Sequence, residues 1–62
     1  MKHYVVITEY YDQLGHYEVN YKYFNNILLA KLYLYLQKDK EYEILRLEDI
    51  TNKKTITKLV KK

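Results

Sequence analysis

One stretch limits what this chain can become. Asn25 to Lys38, NNILLAKLYLYLQK, is apolar on almost every side when wound as a helix. At about 100° per residue, Leu28, Leu29, Leu32 and Leu36 form a continuous stripe with Tyr33 at its edge. That stripe is the expected core face. Ile27, Ala30 and Leu34 fall on the opposite side, interrupted by Lys31, Asn26, Gln37 and Lys38. One layer of sheet covers one side of a helix. A helix apolar on two sides is expected to be covered on both. The outer side therefore calls for a second surface, from another copy or another protein.

The size of the chain points the same way. Sixty-two residues make one small domain, residues 1–62. Such a chain buries only about 60% of the surface it exposes when unfolded. Small domains gain what they lack from disulfides, metals or oligomerisation. Cys is absent, which excludes disulfides and thiolate ligands. His3 and His16 start two successive strands, so an antiparallel hairpin holds them at opposite ends, and no metal site is expected. Oligomerisation remains, and a homodimer is the expectation.

No catalytic set is legible. With neither Ser nor Cys, the usual nucleophiles are missing. Glu41/Glu43 and Glu48/Asp49 are paired carboxylates, but acid–base work needs a desolvated cleft, and they read as solvated charges. A single glycine rules out a Gly-rich phosphate loop, and no calcium loop is present. The expectation is a protein that is not an enzyme and carries no cofactor. The longest apolar run, Leu32 to Leu36, is far short of the roughly 20 residues that cross a bilayer. Met1-Lys2-His3 leads straight into alternating residues with no secretory pattern, which fits a cytoplasmic protein without membrane partners.

Residues 3–11, HYVVITEYY, have the β-branched and aromatic character of a strand. Asp12-Gln13-Leu14-Gly15 suits a type I turn closed by a left-handed Gly, hence a bulged hairpin. Residues 16–24, HYEVNYKYF, alternate as a second strand. With Asp12 opposite His16, Val5 and Ile7 share a face with Val19, Tyr21 and Tyr23, expected to lie under the helix. Tyr4, Val6 and Tyr10 then share the back face with Glu18, Lys22 and Phe24. Asn25 is the expected N-cap, with Phe24 stapled to Leu29. Residues 42–48 read as a third strand whose phase is open, because Ile44 and Leu45 are both apolar. Residues 55–60 read as a lysine-guarded edge strand after a turn at Asn52-Lys53. The expected fold is α+β, ordered β-β-α-β-β. One helix lies on an antiparallel sheet of three or four strands in the order 2-1-3-4, with a right-handed crossover.

Two compositional features suggest surfaces. Six of the nine tyrosines lie in the first hairpin. Tyr is a good strand former that keeps its hydroxyl wet, and it also anchors interfaces and stacks on bases. Five lysines, Lys53, Lys54, Lys58, Lys61 and Lys62, crowd the last ten residues, while Arg46 is the one arginine. The first expectation is a binding protein that dimerises and occupies a protein partner. Ile27, Ala30, Leu34, Tyr35 and Ile44 then form the dimer or partner interface, and Tyr4, Val6 and Tyr10 the partner surface. The alternative is a nucleic-acid-binding module, with tyrosines stacking and the five lysines tracking phosphates.

The order of motifs resembles one family. The Asp12-x-x-Gly15 turn, the tyrosine-rich second strand, the helix with Tyr35 near its end and Ile44-Leu45-Arg46-Leu47-Glu48 are similar to the short uracil-DNA glycosylase inhibitors of small Bacillus phages. That resemblance, over roughly residues 4–50, implies a dimeric phage or mobile-element protein that blocks a host enzyme of DNA repair or defence. The family is acidic and places a carboxylate on the helix; this chain is basic and offers Leu32 there.

Overall fold

The computed structural model describes residues 2–61. Strands β1 (Tyr4–Tyr11) and β2 (Tyr17–Phe24) are followed by helix α1 (Ile27–Gln37), then by β3 (Ile44–Asp49) and β4 (Lys54–Val60). The four strands make one sheet in the order β2-β1-β3-β4, with every neighbouring pair antiparallel. The fold is α+β with the expected strand order.

The first hairpin turns as its residues dictate. The Gly15 amide donates to the Asp12 carbonyl at 3.0 Å and the Asp12 amide to the His16 carbonyl at 2.9 Å. The Asp12 carboxylate accepts from the Leu14 and His16 amides at 2.9 and 2.8 Å, holding the loop from inside. Gly15 takes φ +84°, the left-handed position that closes a bulged turn. Val5 therefore pairs with Tyr23 and Ile7 with Tyr21, the bulged register.

The helix starts one residue later than expected. Asn26, not Asn25, is the N-cap, and its Oδ1 accepts from the Leu28 amide at 2.7 Å. At the other end the Lys38 amide is shared between the Leu34 and Tyr35 carbonyls at 3.2 and 3.3 Å. Asp49 organises the second hairpin by accepting from the Asn52 amide and side chain. Beyond that turn β4 carries one extra residue. Leu47 faces Thr57 and Glu48 faces Thr55, which leaves Ile56 as a bulge.

Both expected core faces are reversed. The core is Val6, Ala30, Leu34, Leu45 and Leu47, flanked by Tyr4, Phe24, Ile27, Tyr33, Tyr42 and Leu59. The helix thus lies on the side of the sheet that carries Tyr4, Val6, Leu45 and Leu47. It approaches with Ile27, Ala30 and Leu34 rather than with the leucine stripe. Two physical reasons decide this. Arg46 and Glu48 alternate with Leu45 and Leu47, and register puts them beside Ile7 and Val5, so that face is charged. Ala30, with no exposed surface, lets the helix backbone come close to the sheet. Val5 and Ile7 are nonetheless buried, each flanked by two long side chains: Tyr23 and Glu48, and Tyr21 and Arg46.

Candidate protein-interaction surfaces

The reversal relocates most of the proposed contact residues. Ala30 and Leu34 are buried in the core and Ile27 is half-buried against it, all on the sheet side of the helix, so the assignment of these three to an outward-facing interface is corrected. Val6 is buried beneath the helix, and Tyr4 and Tyr10 are half-buried on that same side. The assignment of these three to a free partner surface is corrected too, because the back of the sheet is the opposite face. Tyr35 is exposed on the helix, with the Lys38 ammonium 5.6 Å from its ring centre. Ile44 is half-buried at the start of β3, across from Val60.

What the fold leaves open on the helix is its leucine stripe. Leu28 is 71% exposed, Leu29 52%, Leu32 55%, Leu36 56% and Tyr35 66%. Winding places these five side by side over about a third of the helix circumference, with no charged residue among them. Scattered exposed leucines are ordinary on a protein surface; a contiguous apolar stripe is a mark of an interaction site. The sequence signal for it was correct in kind, since the helix has more apolar surface than one sheet covers. The side was wrong.

The open face of the sheet is organised differently. A polar row crosses its middle. The Tyr17 hydroxyl donates to Glu9 Oε1 at 2.7 Å, and the other Glu9 oxygen lies 3.3 Å from Arg46 Nη2. Arg46 Nη1 is 3.2 Å from Glu48, which also accepts from the Thr55 hydroxyl at 3.4 Å. Arg46 Nε is buried and has no partner among the described residues. Beside this row stand Tyr11, Val19, Tyr21 and Tyr23, all exposed, with the rings of Tyr11 and Tyr17 edge to face at 5.0 Å.

The Tyr17–Glu9 contact has a measurable signature. Donation to Glu9, then desolvation and the carboxylate charge, push the Tyr17 hydroxyl up from 10 to about 12. A raised folded value means that the contribution of this contact is complete below pH 10 and is lost as pH climbs toward 12. Titration of tyrosinate absorbance is expected to show one tyrosine ionising late, and Glu9→Gln is expected to return it toward 10. A Tyr17→Phe variant that still shows the late group would refute the assignment.

The residues of the nucleic-acid alternative do not converge. Lys53 sits in the turn and Lys54 opens β4. Lys58 stands mid-strand opposite Arg46, and Lys61 reaches Glu43 at 3.5 Å. Lys62 lies outside the described residues. Tyr17, Tyr21 and Tyr23 line β2 while Lys54 and Lys58 line β4, the two opposite edges of the sheet, roughly 14 Å apart at three strand spacings; Tyr4, Tyr10 and Tyr11 stand on β1, one strand nearer. Glu9 and Glu48 lie between them and neutralise Arg46. Among the described residues no cluster of His, Asp and Glu has the makings of a metal site, and no helix is long and apolar enough to cross a membrane. Comparison of the chain with protein families, curated proteins and solved structures gives no match in any of the three.

Proposed function

We propose that this protein is a non-enzymatic binding module that occupies an apolar surface of another protein through the outer face of α1. The observation that carries the proposal is the stripe of Leu28, Leu29, Leu32, Tyr35 and Leu36, exposed together on one rigid helix. Each such side chain contributes about 1.5–3 kcal/mol when fully buried, so a groove that accepts the stripe gains enough for stable association. The lysines along one margin, Lys31 and Lys38, suit a groove with an acidic rim on that side. The motif resemblance to phage inhibitors supports inhibition or modulation of a host enzyme as the form this binding takes.

The double variant Leu28→Lys/Leu32→Lys tests the proposal. Both positions face solvent, so the circular dichroism spectrum and cooperative melt of the parent are expected to persist. Immobilised wild-type protein is expected to retain a partner from a host lysate that the double variant does not. Identical retention by the two, or none by the wild type, would refute the proposal. An oligonucleotide titration at low salt separates the alternative, which requires binding that weakens steeply with added salt.

A further inference from the structure

The outermost strand of the sheet carries a pattern independent of the helix. β2 is an edge strand, exposed from Tyr17 to Tyr23, with neither Pro nor a bulge to guard it. The bond from the Asp12 amide to the His16 carbonyl fixes the phase of its pairing with β1. Glu18, Asn20 and Lys22 turn their backbone groups toward β1. Tyr17, Val19, Tyr21 and Tyr23 turn theirs outward, to the free rim. The side chains of these four lie on the open face, and those of Glu18, Asn20 and Lys22 lie on the helix side.

Glu18 and Lys22 carry opposite charges on one side of the strand. They are separated by roughly 13 Å, too far to meet each other within a strand. Among the described residues neither has an ion-pair partner. We propose that β2 pairs antiparallel with β2 of a second copy about a twofold axis at Asn20, joining two four-stranded sheets into one. Glu18 of each copy then faces Lys22 of the other, Tyr17 faces Tyr23, and Val19 faces Tyr21. The outward backbone groups meet in phase, because Tyr17 with Tyr23 and Val19 with Tyr21 are pairs of rim-facing residues, each exchanging two hydrogen bonds. The two charge pairs fall at the positions without backbone bonds, where side chains approach most closely.

Other alignments lose one of these features. A twofold at Val19 sets Glu18 against Asn20 and Lys22 against His16. A twofold at Tyr21 sets Glu18 against Phe24 and Lys22 against Asn20. A shift by a single residue puts rim-facing groups opposite inward-facing ones. Parallel pairing in register stacks Glu18 on Glu18 and Lys22 on Lys22. Only the Asn20 axis matches charge, hydrogen bonds and full strand length together.

Sedimentation equilibrium over a concentration series tests this on the full chain. The wild type is expected to dimerise within about 10–100 μM. Glu18→Lys and Lys22→Glu alone each place two like-charge pairs across the axis, and each is expected to weaken the dimer about tenfold or more. The double reversal Glu18→Lys/Lys22→Glu restores opposite charges and is expected to recover the wild-type affinity. Val19→Pro removes one rim-facing amide and none of those paired with β1, and is expected to be a folded monomer. If that variant unfolds, the charge series decides alone. A wild type that stays monomeric at about 1 mM, open-ended polymers, or a double reversal no better than the single ones would overturn the proposal. So would a dimer lost in Leu28→Lys/Leu32→Lys but indifferent to charge at 18 and 22.

Discussion

Leu34→Lys is expected to unfold the domain at room temperature. Leu34 sits in the core with Val6, Ala30, Leu45 and Leu47 and is 7% exposed. Its replacement forfeits about 1.5–3 kcal/mol of apolar burial. The ammonium that replaces it has no acid beside it in that cluster, and stripping water from an unpaired charge costs several kcal/mol more. A domain of this length has about 3–9 kcal/mol in total. The loss is comparable in size with that total. The same substitution at Leu32, two residues earlier and on the outer stripe, is expected to leave the melting temperature within a few degrees of the parent. Thermal melts of the two variants check the assignment of helix faces directly. A folded Leu34→Lys beside an unfolded Leu32→Lys would show the helix packed the other way round.

Leu47→Ala is expected to have the next largest effect. Leu47 and Leu45 have no exposed surface, and with Val6 they are the largest side chains fully buried. Removing three carbons beneath the helix leaves a cavity that the sheet cannot close, because both neighbouring strands are fixed in register. Large-to-small changes at such sites cost about 2–5 kcal/mol. Urea denaturation should show the midpoint falling to a fraction of the wild-type value with the slope unchanged. Loss of less than about 1 kcal/mol would mean that the space above Leu47 is looser than its burial implies.

The parts of the fold that were legible in the sequence are those governed by local chemistry. The Asp12-to-Gly15 turn fixed the hairpin register, because an Asx-supported loop and a left-handed Gly leave one way to pair the strands. Alternation and the hairpin together gave the sheet order. The choice of buried face was not local. Val5 and Ile7 on one side, Tyr4 and Val6 on the other, are all apolar, and the helix is apolar on two sides. Counting hydrophobic residues cannot separate the two arrangements. The deciding signal was the charge on β3. Arg46 and Glu48 flank Leu47, and once β3 pairs with β1 they claim the Val5 and Ile7 side for solvent. Leaving the phase of β3 open left the face of the whole sheet open. The candidate surface inherited that ambiguity: an uncovered apolar helix side was foreseeable, but Ala30 rather than a leucine marks the side that approaches the sheet.

The bulge at Ile56 bears on how far any assembly of this protein extends. A strand holding one residue more than its neighbour cannot run flush along a third chain, and ammonium groups at Lys54 and Lys58 repel a like rim. Whatever adds to the sheet therefore adds on one flank and stops there. Concentrated solutions of the protein should stay clear of fibrils for that reason, even with so many bare tyrosines on view.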